Sequence, residues 1–303
     1  MLCTVQFPPT WVNTTKMDEV LALSGGPHST QFSSVMFKFP SGCKIMIDAV
    51  VRILSVVNQL RYSNKQVCLI FDEKNGGIMG YLDRMGFFDY LDESAEVLPY
   101  RPRDSTADFF RGKNSDLVEI AGIGPKNKDR NIVPRMSNTL TRKIPDNSNP
   151  ESFNNAFYTI LGELIGNIYR HCNLDLNGFA ALQTYRYGNL ITIAVSDSGP
   201  GLIETLRPVL NTEYPKLTNL TDSQLMKEIF SKGLSRFGEG NGGSGLFSCG
   251  KVAMKFNASI EVRQNNSRFN IITSDNKMKA IKTIDHLPYI WGTHICFNFS
   301  VDL

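Results

Sequence analysis

The stretch ITIAVSDSGPG, residues 191–201, joins an apolar run to a glycine-rich turn. Residues 191–195 predict a buried strand, and Asp197 follows where the strand ends and a pocket can open. A carboxylate there can accept the exocyclic amino hydrogen of adenine, while Gly199 and Gly201 let a base approach the backbone closely. The same DSGPG segment also suits an ordinary tight turn, so this stretch alone leaves both interpretations open.

Upstream, residues 163–171 read ELIGNIYRH within an amphipathic helix that we expect to begin at Ser152 and to end near residue 173. Glu163, Asn167 and His171 recur at i, i+4 and i+8, so they share one stripe of the helix. Glutamate can accept a proton from water. An asparagine oxygen can ligate Mg²⁺, which needs few protein ligands because it retains waters and phosphate oxygens. A helix with three solvated polar residues is the alternative.

Downstream, residues 238–245 read GEGNGGSG and precede a predicted helix at 245–256. Unpaired amides and the dipole at a helix start favour phosphate, although a flexible surface loop has the same composition. The P-loop signature is absent. The expected phosphate-binding residues are Gly240, Gly242, Gly243, Ser244 and Gly245, with Lys232 and Arg236 as candidate neutralisers of phosphate charge or, alternatively, ordinary exposed cations.

Together with Gly292-Thr293 before a late strand, these motifs resemble the N, G1, G2 and terminal Gly-Thr elements of the GHKL ATPase superfamily, over about residues 150–303. The resemblance implies a Bergerat-type α/β sandwich, with helices on one face of a mixed sheet, that binds ATP and Mg²⁺. It implies that Glu163 is the general base, that Asn167 ligates Mg²⁺, that Asp197 holds adenine and that Thr293 supports the base pocket. It also implies a mobile lid at 202–240.

The first half predicts a small α/β layer of strand, helix, strand and helix. These elements fall at about 35–39, 45–60, 67–71 and 78–85, and we expect a strand at 116–121 to complete the layer. The strand, helix and strand followed by residues 80–91 (GYLDRMGFFDYL) resemble the end of a STAS domain, but 72–77 (DEKNGG) lack the Ser or Thr that accepts phosphate in that family. The predicted division is a STAS-like domain at 1–130, a linker or connecting helix at 131–150 and the ATPase domain at 151–303.

Composition narrows the partners and the location. The net charge is +3 and the 32 basic residues are dispersed, which does not indicate nucleic acid. Six isolated cysteines without a C-x-x-C pair indicate reduced thiols, and no leader or bilayer-length apolar run is visible. We therefore expect a cytoplasmic protein that does not enter a membrane.

Three functional hypotheses remain open. The first is an ATP-binding, slowly hydrolysing regulatory switch that acts on a protein partner or on a second copy of itself as a homodimer. The second is Ser/Thr kinase chemistry on a partner, as in anti-sigma-factor kinases. The third is a module that binds ATP without catalysis.

Overall fold

The computed structural model describes residues 1–72, 76–124, 129, 131–143, 150–171, 175–236, 238, 244–256 and 258–300, with only the backbone of 76, 150–153, 170, 171, 188 and 244. The predicted α/β class is confirmed. Within these ranges, no helix combines the length and the apolar character needed to cross a bilayer.

The strands are β1 (Leu2–Gln6), β2 (Trp11–Val12), β3 (Ser34–Phe39), β4 (Lys44–Ile45), β5 (Gln66–Phe71), β6 (Glu96–Leu98), β7 (Leu117–Ile123), β8 (Gly178–Tyr185), β9 (Leu190–Ser196), β10 (Ser259–Asn265), β11 (Ser267–Ser274), β12 (Lys277–Ile284) and β13 (Ile290–Ser300). The α-helices are α1 (Thr14–Leu23), α2 (Ile47–Tyr62), α3 (Gly76–Arg84), α4 (Phe87–Tyr90), α5 (Thr106–Phe110), α6 (Ile132–Lys143), α7 (Pro150–His171), α8 (Leu202–Leu206), α9 (Leu210–Glu213), α10 (Asp222–Lys232) and α11 (Ser244–Lys255).

The first half forms a parallel sheet of four strands in the order β1-β3-β5-β6. Its strands alternate, so that Val35, Phe37 and Phe39 of β3 are buried while the residues between them are half-exposed. Parallel neighbours require crossover connections, and helices α1, α2 and α3 lie in the three connections of this sheet. The predicted strand, helix, strand and helix are confirmed as β3, α2, β5 and α3.

The second half is built on a sheet of seven strands in the order β12-β11-β10-β13-β9-β8-β7. Every pairing in it is antiparallel, so the expected mixed sheet is wrong for the described residues. Short turns explain the pairings β8–β9, β10–β11 and β11–β12, because they return the chain beside the strand it has just left. At the β8–β9 turn Asn189 adopts a left-handed conformation with φ of 47°.

Strand β7 corrects the expected position of residues 116–121. It pairs with β8 at the edge of the seven-stranded sheet and does not join the parallel sheet. Its side chains are buried on both faces, with Leu117 and Ile120 toward the first half and Val118 and Ala121 toward the helices of the second half. Apolar periodicity predicted the strand, but it carries no information on the partner strand. The division at 131–150 stays a prediction, although residues 132–143 do form the expected helix, α6.

Both faces of the seven-stranded sheet are covered. Helices α7 and α11 and the residues around them pack on one face, as expected. The other face packs on α2, which also contacts β5 of the parallel sheet, so the expectation of helices on one face alone is wrong. From Ile47 to Leu60, every α2 side chain except that of Asn58 is buried. A helix that is buried all round lies between layers, and α2 is therefore a core helix that packs against both sheets.

A buried cluster of charged groups joins the same two layers. Asp18 of α1 contacts Arg263 at 3.1 Å and Arg268 at 3.0 Å, on β10 and β11. Arg52 of α2 contacts Glu261 of β10 at 2.7 Å and Asp18 at 3.6 Å. Because removing charges from water is costly unless they are paired, the cluster requires both layers to be present in this register.

Candidate functional site

Asp197 lies directly after β9, beside the start of β13. Its Oδ1 accepts hydrogen bonds from the amides of Gly199 at 2.7 Å and Thr293 at 3.2 Å, while its own amide donates to the Thr293 carbonyl at 2.9 Å. Gly292 makes this contact possible: its φ is +83°, and a β-carbon there would lie 1.9 Å from the Asp197 carbonyl oxygen. The carboxylate of Asp197 is therefore oriented by two main-chain donors to Oδ1.

A narrow cleft opens beside Asp197 between α7, the ends of β9 and β13, and the starts of α8 and α11. It brings together four of the predicted site residues, Asn167, Asp197, Gly201 and Thr293. Most of the remaining wall is apolar, as the walls of small-molecule pockets usually are. The other lining residues are Leu164, Ile168, Val195, Leu202, Thr205, Leu246 and Ile295.

Burial raises the pKa of the Asp197 carboxyl to about 6, and the hydrogen bonds from Gly199 and Thr293 oppose that rise. Desolvation therefore outweighs the two main-chain donors and the Thr293 side chain in setting this pKa. The carboxyl is ionised at neutral pH and gains protons in mildly acidic solution. A donor placed against it by a ligand would favour the charged form.

Gln264 of β10 binds the first turn of α8, a role that the sequence did not predict. Its Oε1 accepts from the amides of Leu202 at 2.8 Å and Ile203 at 3.4 Å, which are donors of the first helical turn. The same oxygen lies 3.3 Å from where a β-carbon on Gly201 would be, and Gly201 has φ of +90°. A lone glutamine in a strand carries no sequence signal for this role.

Glu163 lies one helical turn before Asn167 and faces the first turn of α11. A β-carbon on Gly245 would lie 2.7 Å from Oε2 and 2.8 Å from Cβ of Glu163. Gly245 therefore permits the close approach of α11 to α7. Since Leu246 lines the cleft, the start of α11, whose first-turn amides have no partner within the helix, borders the same cleft.

The other predicted residues have mixed outcomes. The amide of Gly199 donates a hydrogen bond to Oδ1 of Asp197. Lys232 lies exposed in the last turn of α10 and pairs with Glu228 at 2.7 Å, and Arg236 lies half-buried beyond that helix. Ser244 begins α11, but only its backbone is described, and Gly240, Gly242 and Gly243 lie outside the described residues. Ser152 was expected to cap this helix but lies inside it, because α7 starts at Pro150.

Within the described ranges, no three His, Cys, Asp or Glu side chains form a group that could hold a metal ion. No protein-family model matches this chain, and no curated protein is significantly similar to it.

Proposed function

We propose that this protein binds ATP with Mg²⁺ in the cleft beside Asp197 and hydrolyses it slowly, as a regulatory switch of the GHKL type. The convergence of Asn167, Asp197, Gly201 and Thr293 on one cleft supports the proposal most. These residues come from a helix, two strand ends and a turn that lie far apart in the chain. Their common wall is an observation independent of the motif spacing.

The chemical groups that line this cleft are complementary to adenine. Its exocyclic amine is a donor, and the Asp197 carboxylate is an oriented acceptor whose Oδ1 is already engaged by main-chain amides. Val195, Leu202 and Ile295 supply apolar surface for the faces of the ring. Guanine presents a carbonyl oxygen at the position of that amine, so the acceptor disfavours GTP.

The phosphate end lies toward α11 in this proposal. Asn167 would hold Mg²⁺, and phosphate oxygens and waters would complete its coordination. When bound, the ion neutralises phosphate charge and orients the terminal phosphate. The start of α11 can add amide donors there, because Gly245 has no side chain to fill the space beside Glu163.

Glu163 is the proposed general base. It is one turn from Asn167 on the same helix and borders the start of α11, so its carboxylate can take the proton of a water that attacks the terminal phosphate. A positioned base contributes typically ~10²–10⁴-fold to such a rate.

Titration calorimetry with ATP and Mg²⁺ tests the proposal on the parent, Asp197→Asn and Asp275→Asn. Asparagine keeps an oxygen for the amides of Gly199 and Thr293 but removes the charge, so we expect ATP affinity to fall about tenfold or more. Asp275 is exposed and pairs with Lys279, so its variant should bind like the parent. A parent that binds no ATP, or an Asp197→Asn variant that binds as tightly as the parent, would show that the proposal is wrong.

A further inference from the structure

Gln59 of α2 contacts both segments that flank the proposed adenine site. Its Oε1 accepts from the Trp291 amide at 3.3 Å, and its Nε2 donates to the Trp291 carbonyl at 3.2 Å and to the Ser198 hydroxyl at 3.0 Å. Ser198 follows Asp197, and Trp291 precedes the Gly292-Thr293 pair. Gln59 is fully buried, so these contacts are made without competition from water.

Ser55 lies one turn earlier on α2 and begins a second connection. Its hydroxyl is 2.6 Å from that of Ser196, which is 2.6 Å from Nδ1 of His294. The other ring nitrogen of His294 lies 2.9 Å from the Trp291 carbonyl. Burial lowers the pKa of His294 well below its ordinary value, which keeps the ring neutral.

The directions of these bonds follow from the acceptors. A carbonyl cannot donate, so Nε2 of His294 carries the proton and Nδ1 accepts from Ser196. The Ser196 hydroxyl is then the acceptor for Ser55. Every contact in the series therefore has a donor and an acceptor. The series connects Ser55 of α2 to Ser196, which precedes Asp197, and to His294, which follows Thr293.

We propose that Gln59 and Ser55 are positioning residues for nucleotide recognition: they hold the ends of β9 and β13 so that Asp197 and Thr293 present one adenine site. The inference rests on the proposed function. The two residues lie across the sheet from the cleft and act through the backbone of their neighbours. Because α2 also packs on β5, these contacts connect the first half of the chain to the proposed adenine site.

Linkage makes this coupling reciprocal. If the position of α2 changes ATP affinity, ATP changes the equilibrium between positions of α2 by the same factor.

Gln59→Met tests the inference against Asn58→Leu. Asn58 is the adjacent residue on α2 and also bridges two main-chain groups, the carbonyl of Tyr90 and the amide of Asp92, each at 2.9 Å. Both variants lose side-chain hydrogen bonds from the same helix, but only Gln59 touches the strand ends of the cleft. The measurements are the affinities for ATP and for GTP with Mg²⁺, and the free energy of unfolding.

We expect Gln59→Met to weaken ATP binding by about three- to thirty-fold and to weaken GTP binding less, so that the preference for ATP falls. Asn58→Leu should lose stability and keep both affinities. A loss of stability alone would not change the ATP-to-GTP ratio. If Gln59→Met does not fold at the assay temperature, Ser55→Ala, which removes one hydroxyl, gives the same measurement with a smaller expected loss.

The outcomes separate the two proposals. Suppose that the parent prefers ATP over GTP and that Asp197→Asn loses this preference. If the Gln59 or Ser55 variant then keeps the parent's preference, the positioning role is wrong and ATP binding stands. The positioning role is likewise wrong if Asn58→Leu loses the preference equally. If the parent binds no nucleotide, both proposals are wrong.

Discussion

Asp197 and Thr293 bind each other reciprocally: the Thr293 amide donates to Oδ1 of Asp197 at 3.2 Å, and the Asp197 amide donates to the Thr293 carbonyl at 2.9 Å. The pair extends the antiparallel register in which Ser196 faces His294. The proposed adenine acceptor and its supporting threonine therefore form one unit, and a change that separates the ends of β9 and β13 disturbs both.

ATP affinity should fall as the pH is lowered through about 6, the raised pKa of Asp197. The adenine amine donates to the ionised carboxylate, so binding favours the charged form; one unit below the pKa only about a tenth of the carboxyls are charged. We expect a decrease of about tenfold at pH 5, measured as the ratio of parent affinity to Asp197→Asn affinity, which cancels the titration of the nucleotide itself. A ratio that does not vary with pH would contradict this.

The stability of the nucleotide-free protein should have the opposite dependence. Because the folded pKa of Asp197 lies above its unfolded value of 3.8, the contribution of this group is fully present below pH 3.8 and is lost as the pH rises through about 6. Asp197→Asn should remove that component from the pH profile of the free energy of unfolding.

Gly292→Ala should abolish ATP binding, because the new β-carbon would collide with the Asp197 carbonyl at 1.9 Å. Gly112→Ala is a matched control: Gly112 has a similar φ of +75° but open space around it, so it tests backbone strain alone, about 1–2 kcal/mol. Calorimetry and urea unfolding of both variants check this. Equal effects of the two substitutions on ATP affinity would mean that the contact with Asp197 is unimportant.

Glu163→Gln should retain ATP and lose turnover by about 10²–10⁴-fold, since the amide has the shape of the carboxylate without its basicity. Calorimetry measures the retained affinity, and phosphate release measures the lost rate. Hydrolysis at the parent rate would exclude Glu163 as the base.

Gly245→Ala should reduce turnover by about 10²-fold, because its β-carbon would lie 2.8 Å from Cβ of Glu163 and displace the proposed base. Gly162→Ala is the control on the same helix as Glu163, with no atom within 4 Å of the added carbon. It should hydrolyse ATP like the parent and gain about 0.5–1 kcal/mol of stability. Unchanged phosphate release in Gly245→Ala would contradict the proposed packing of α11 on Glu163.

Arg52→Met should lower the free energy of unfolding by about 3–5 kcal/mol, because it leaves Glu261 buried without its partner at 2.7 Å. Lys279→Met provides the comparison: its pair with Asp275 is exposed, and its loss should change stability by no more than about 1 kcal/mol. Equal denaturation midpoints for Arg52→Met and the parent would contradict a structural role for the buried cluster.

Local patterns in the sequence predicted the elements that carry the site, because α7, β9 and α11 have clear apolar periodicity or glycine boundaries. The resemblance predicts that Asn167, Asp197, Gly201 and Thr293 belong to one site, and all four line one cleft in the structure. The pairing of β7 could not be predicted, since burial on both faces suits either sheet. Periodicity reports whether a residue is buried, and not which element covers it.

Long-range polar contacts were missed for a related reason. Arg52 and Arg263 are charged and would ordinarily be assigned to the surface, yet both are buried against partners about 200 or more residues away. Gln59 was missed likewise, because the sequence pattern of its helix showed only an apolar stripe to which Gln59 does not belong. The residues around 47–57, IDAVVRILSVV, are apolar on nearly every side, and that was the available signal that α2 is buried all round.

The position of α2 between two sheets also determines how the chain can be divided. A fragment of residues 151–303 would lack β7 at one edge of its sheet and would expose Phe179, Ala181, Ala194 and Ile290, which pack toward the first half. The apolar face uncovered in this way makes such a fragment prone to aggregation. Heat capacity and hydrogen exchange of the intact chain should accordingly report one cooperative unfolding unit, with the amides of α2 among the slowest to exchange.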